Sequence, residues 1–221
     1  GYDSQAISVG RSLSYLYLVD RCCPTRATVR VVVKFGGTSL GSGDRINRAA
    51  DSIANAVEKG HEIVAVASAM GSTTDYLLDE IEFDAADKDR AEIVSMGERT
   101  SVRMLTGALR ARGVSAQFLE PGTDKWPILT NDLGEVEVAE TQRRTAELSA
   151  QLGEMVPVIT GFLAENEAGE TTTLGRGGSD TTAVMLGRYT DADEVVIVTD
   201  VEGVMTGDPH VVEGARNVGH I

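Results

Sequence analysis

Lys34 closes the run Val31-Val32-Val33 and is followed by Phe35-Gly36-Gly37-Thr38-Ser39, a glycine-rich turn that carries hydroxyls. A continuous β-branched run of this kind fits a strand buried on both faces. An ammonium at the end of such a strand is costly unless an anion or an ion pair neutralises it. The neighbouring glycines let backbone N–H groups approach a phosphate, because no Cβ stands in the way. The combination points to an anion site for a phosphorylated ligand. A lysine snorkelling from a strand end is the plainer alternative. Lysine is scarce in this chain, however: Lys34, Lys59, Lys88 and Lys125 are the only ones among 20 basic residues.

A second glycine loop, Gly175-Arg176-Gly177-Gly178-Ser179-Asp180, opens a predicted helix. Its glycines and the helix N-terminus favour an anion, and Arg176 offers a planar fork suited to a carboxylate or phosphate. Asp180 taken alone has a bland reading as a residue favoured by the helix dipole. Two phosphate-type loops on one sheet are harder to explain by structure. Ser68-Ala69-Met70-Gly71-Ser72-Thr73-Thr74-Asp75 follows another predicted strand; its hydroxyls suit a small polar substrate, or else Thr74 or Asp75 caps the next helix. In Ser95-Met96-Gly97-Glu98-Arg99 the glutamate is either a solvated-face residue or a ligand for an ammonium group. Thr199-Asp200-Val201-Glu202-Gly203 through Asp208-Pro209 suits a ribose, an adenine edge or a hydrated metal, with a generic turn as the alternative.

The elements that must position these residues follow from periodicity. Strands are predicted at 29–35, 62–67, 114–119, 156–162 and 194–199. Helices are predicted from Asp44 as cap to about Lys59, at 75–82, at 90–112 closed by Gly113, at 140–152 and at 179–188. An acidic linker spans Asp84 to Asp89, a small hairpin Asn131–Val138, and a turn Asn166–Gly169. Alternation of strands and helices implies an α/β fold, a mostly parallel central sheet sandwiched by helices. Ligands of such sheets sit at the carboxyl ends of the strands, where the motifs that begin at Lys34, Ser68 and Thr199 fall. Residues 1–28 show no clean period and form an N-terminal extension of unclear role.

Composition narrows the partners. The formal net charge of -14 argues against nucleic acid and against anionic membrane surfaces. High acidity with scarce lysine suggests adaptation to concentrated salt, where screening reduces self-repulsion. Cys22 and Cys23 are adjacent and have no metal-binding spacing, which fits a reducing cytoplasm. The apolar runs are of strand length, too short to span a membrane.

Taken in order, Lys34–Ser39, Ser68–Asp75, Gly97-Glu98, Gly175–Asp180 and Thr199-Asp200-Val201 with Asp208-Pro209 resemble the motifs of aspartate kinases, in the amino-acid kinase superfamily. The resemblance covers 29–221 and implies the amino-acid kinase fold. It implies transfer of the ATP γ-phosphoryl to the side-chain carboxylate of L-aspartate, giving 4-phospho-L-aspartate, the first step towards lysine, threonine and methionine. ATP and Mg²⁺ are the implied cofactors, and a homodimer the implied assembly. Lys34 and Asp180 are the implied catalytic pair. Lys34, Gly36, Gly37, Ser39, Thr199, Asp200 and Asp208 would bind ATP. Ser68, Thr74, Glu98, Arg176 and Ser179 would bind aspartate, with Arg176 on a carboxylate and Glu98 on the α-ammonium.

Three departures accompany the resemblance. Met205 stands where the family usually has a tyrosine, and His210 where an arginine usually follows Asp-Pro. The chain ends at Ile221, so the nucleotide lobe is expected to be incomplete at its carboxyl end. Alternatives are another branch of the superfamily acting on a different carboxylate, or a nucleotide-binding subunit without turnover.

Overall fold

The computed structural model describes the backbone of residues 6–10 and, in full, residues 28–131 and 133–199. In chain order the elements are β1 (Ala6–Gly10), β2 (Arg30–Phe35), a 3-10 turn (Thr38–Leu40), α1 (Gly43–Glu58) and β3 (Glu62–Ala67). Next come α2 (Thr73–Asp79), α3 (Asp87–Arg110), β4 (Ala116–Leu119), β5 (Leu129–Thr130) and α4 (Val138–Ser149). The series continues with β6 (Val156–Thr160), β7 (Leu163–Asn166), β8 (Thr171–Thr173), α5 (Gly178–Tyr189) and β9 (Glu194–Val198).

Six strands pair in the order β1-β9-β2-β3-β6-β4, parallel at every described pairing. The expected parallel sheet between helices is therefore what forms. Alternation along β2 sends Val31, Val33 and Phe35 to one face and Val32 to the other. The first face is covered by Ile46, Ala49, Ala50 and Ile53 of α1 and by Val102, Leu105 and Leu109 of α3. On the second face, Leu148 of α4 and Ala183 and Leu186 of α5 join Trp126 and Ile128 over the sheet. Each fully buried Val contributes about 1.5–3 kcal/mol relative to exposure, and β2 supplies Val31, Val32 and Val33, all fully buried.

Several boundaries differ from the sequence expectation for local reasons. The cap of α1 is Ser42, whose extended backbone (φ −154) lets its hydroxyl accept the Arg45 N–H at 3.3 Å. Asp44 sits inside the first turn, where a carboxylate still suits the helix dipole. For the same reason α3 absorbs Asp87 and Asp89 from the acidic stretch and begins at residue 87. Its end is as expected: Gly113 at φ +76 carries a Schellman closure, Gly113 N–H to Arg110 O and Val114 N–H to Leu109 O.

A small second sheet, β5-β7-β8, was not anticipated. Its strands are only two to four residues long, too short to show a period. Asn131 and Asn166 hold its turns, each side-chain carbonyl accepting two backbone N–H groups, from Leu133 and Glu135 and from Ala168 and Glu170. The 131–138 hairpin thus reduces to one antiparallel bridge, Thr130 to Val136.

Candidate active site

Lys34 is the fifth residue of β2 and points to the same face as Val32, the face on which α5 lies. Asp180 occupies the first turn of α5, and its Oδ1 lies 2.8 Å from Lys34 Nζ. The lysine is 9 % exposed, whereas the Asp180 side chain is half exposed. A snorkelling lysine would end in solvent; this one ends in an ion pair beneath the sheet's carboxyl edge. Gly177 caps α5 at φ +74 and Gly175 has φ +73, both left-handed conformations that a side chain would strain.

The two glycines after Lys34 have different functions. A Cβ on Gly36 would make only ordinary contacts, 3.6 Å from Lys34 Nζ and 3.4 Å from Val198 O, which places this backbone position beside the ammonium. A Cβ on Gly37 would lie 2.6 Å from Gly71 O and 2.9 Å from Ala69 O. Gly37 therefore lets the loop after β3 rest against the loop after β2, fastened by Gly71 N–H to Gly37 O at 2.9 Å. Ser39 donates its hydroxyl to Val198 O at 3.4 Å, tying the same turn to the end of β9.

Gly97 does for α3 what Gly37 does for the loops. A Cβ there would meet Ala69 Cβ at 2.7 Å, with Thr74 Oγ1 at 3.6 Å, so the helix presses directly on the Ser68–Thr74 segment. Glu98 is thereby driven inside and is 3 % exposed. Its Oε1 accepts the Ala69 N–H at 3.2 Å, while Oε2 is buried without a hydrogen-bond partner among the described residues. Burial raises its pKa to about 7, against the lowering effect of its backbone hydrogen bonds. The solvated-face reading of Glu98 is excluded. A buried carboxylate with one open oxygen suits an ammonium ligand. Ser68 continues the β2–β3 ladder through its N–H to Phe35 O, and Thr74 is half-buried in the first turn of α2.

Arg176 is exposed and has no carboxylate within ion-pair distance among the described residues, so its fork is available. Ser179 packs on the exit of β6: a Cβ on Gly161 would lie 2.6 Å from Ser179 Oγ. This exit, Gly161-Phe162, is a part of the site that sequence reasoning missed. Phe162 sits at φ +68, and its N–H reaches Thr182 Oγ1 at 3.3 Å while its carbonyl accepts the Leu174 N–H at 2.8 Å. A left-handed aromatic residue is a strained choice, and here it clamps the start of α5 against the sheet. The available signal was a glycine directly after an apolar strand, the position Gly36 holds after β2. Thr160, just before it, is fully buried and its hydroxyl has no partner among the described residues.

Thr199 follows β9, half-buried at the same edge. Asp200, Asp208, Met205 and His210 lie outside the described residues. Among the described residues no group of three His, Cys, Asp or Glu side chains could hold a metal, and no helix is long and apolar enough to cross a membrane. Two cavities of about 420 and 500 Å³ lie away from these residues. The smaller one is at the amino ends of the strands, around His61 and Val156.

The Amino acid kinase family profile matches residues 29–221. An aspartokinase of Geobacillus stearothermophilus is 38% identical over 197 residues, covering 86% of this chain and 47% of that protein. The aspartate kinase of Pseudomonas putida is 41% identical over 192 residues, covering 85% and 46%. The chain spans about half the length of these curated relatives. Among solved structures, E. coli aspartokinase III in complex with aspartate and ADP superposes with a TM-score of 0.73 at 30% identity, over 85% of this chain and 53% of that one.

Proposed function

Because this chain belongs to the amino acid kinase family, we propose that it transfers the γ-phosphoryl group of ATP to the side-chain carboxylate of L-aspartate. The observation that carries the reading is the Lys34–Asp180 pair, 2.8 Å apart at the carboxyl edge of the sheet. Glu98, buried with one open oxygen, lies at the same edge. The names of the relatives support the choice of acceptor, as does the aspartate and ADP bound by the E. coli structural neighbour.

The chemistry requires no general base. A side-chain carboxylate with a reference pKa of about 4 is already ionised at neutral pH. The difficulty is bringing one anion onto a polyanion, so catalysis is charge neutralisation and alignment. Lys34, held by Asp180, stabilises the transferring phosphoryl group. The N–H groups of Gly36 and Gly37, with Ser39, cradle the phosphates, and Thr199, Asp200 and Asp208 flank the nucleotide. Glu98 holds the α-ammonium of aspartate, Arg176 a carboxylate, and Ser68, Thr74 and Ser179 complete the pocket.

Mg²⁺ is held chiefly by nucleotide phosphates plus one or two carboxylates, rather than by an all-protein cage. Asp180, whose half-exposed carboxylate lies beside Lys34, is the described residue that fits such a role. When bound, the ion would neutralise phosphate charge.

The test is a hydroxamate assay with ATP, Mg²⁺ and L-aspartate, in low and in multimolar salt. Aspartate-dependent hydroxamate supports the reading. Nucleotide binding with no product in either salt, or product with a different amino acid only, overturns it.

A further inference from the structure

Arg99 follows Glu98 on α3, and every arm of its guanidinium is engaged. Nε donates to Ser95 Oγ at 2.9 Å. One terminal nitrogen donates to Glu120 Oε1 at 2.8 Å and to Pro121 O at 3.4 Å, just past β4. The other donates to Thr171 Oγ1 at 2.9 Å, with Glu92 Oε2 at 3.6 Å. Both main partners are buried, Glu120 at 6 % and Thr171 at 3 % exposure. Arg103 also grips Glu120, and the Thr171 hydroxyl also donates to Glu92. Two guanidiniums and two carboxylates thus form one balanced network joining α3, the end of β4 and the start of β8.

Thr171 opens β8, and β8 ends at Thr173, directly before Leu174 and the Gly175-Arg176-Gly177 loop that leads into α5. Glu98 and Arg99 are adjacent on a helix, so whatever fixes the rotation and height of α3 at one aims the other. We propose that Arg99 is a positioning residue: by gripping Glu120 and Thr171 it sets the span across the acceptor pocket between Glu98 and the Arg176 loop. The inference rests on the reading above that these two residues hold opposite ends of one amino-acid substrate. A planar fork serving several acceptors at fixed angles cannot be replaced by a single ammonium.

The test compares Arg99→Gln, Arg99→Lys and Thr171→Val. Expected is a rise in the aspartate KM of about tenfold for Arg99→Gln, since small misplacements of binding groups are costly, with the ATP KM and kcat within about twofold. Arg99→Lys recovers only part of the loss, and Thr171→Val shifts the aspartate KM in the same direction. Amide exchange of residues 172–177 is expected to quicken in Arg99→Gln while β2 and β3 keep wild-type protection. An unchanged aspartate KM, or both KM values rising together with a lower Tm, overturns the proposal. If Arg99→Gln does not fold, an unaltered aspartate KM in Thr171→Val does the same. Should the wild type form no aspartyl phosphate, the functional reading fails, and amide exchange in 172–177 still decides the role of Arg99: unchanged exchange rejects it.

Discussion

Glu98→Gln separates the demands of stability and of binding at one residue. Burial moves the Glu98 carboxyl from 4.5 to about 7 in the folded protein. Between those values the native state keeps a proton that the unfolded chain has already released. The unfolded state then binds fewer protons, so stability falls as pH rises through this window. At about 1.4 kcal/mol per pH unit, the carboxylate costs the fold about 3 kcal/mol above pH 7. Glutamine carries no such charge and can still accept the Ala69 N–H. Its amide nitrogen would replace the unpartnered Oε2 and add a penalty of about 1–3 kcal/mol, which does not depend on pH.

The diagnostic is therefore the slope of the difference curve. Urea unfolding of both proteins from pH 4.5 to 8 should show the variant gaining about 3 kcal/mol on the wild type across that range. In the same variant the aspartate KM should rise roughly 10- to 150-fold, the equivalent of a charged hydrogen bond worth about 1.5–3 kcal/mol. Wild-type kcat/KM for aspartate should fall about tenfold per pH unit below about 7, as the free enzyme's carboxylate protonates. A flat difference curve would refute the burial argument. A Glu98→Gln enzyme with an unaltered aspartate KM would refute the ammonium role.

Lys34→Ala should reduce kcat by about 10²–10³ or more with little change in aspartate KM, as expected for loss of a group that acts on developing charge; near-normal turnover would remove Lys34 from the mechanism. Gly37→Ala places a Cβ against two backbone carbonyls, so urea unfolding should show a loss of about 1–3 kcal/mol, and an unchanged midpoint would mean that the two loops separate freely. With a net charge of -14, the melting temperature should climb between dilute buffer and multimolar KCl as self-repulsion is screened. A high Tm that ignores salt would discard the halophilic interpretation.

The local chemistry was legible in the chain itself. The Val31–Phe35 run, the apolar stripe of α1 through Ile46, Ala50 and Ile53, and Gly113 as a helix stop are each set by neighbours within a few residues. So is the placement of Lys34 and Asp180, one at a strand's end and the other in a helix's first turn. Periodicity could not bring these two together. That depends on β9 pairing with β2 and on α5 packing over the face that Val32 and Lys34 share, contacts between segments about 150 residues apart. Glu98 shows the limit most clearly. On a helix it could face solvent or loop, and only the approach of α3 to Ala69, permitted by Gly97, buried it and raised its pKa. The small sheet and the Phe162 clamp were equally hidden, because strands of two to four residues carry no period and a left-handed aromatic is held by its surroundings. Sequence determined which groups were available and at which ends of which elements. Tertiary packing decided their distances, burial and charge, because those depend on residues far apart in the chain.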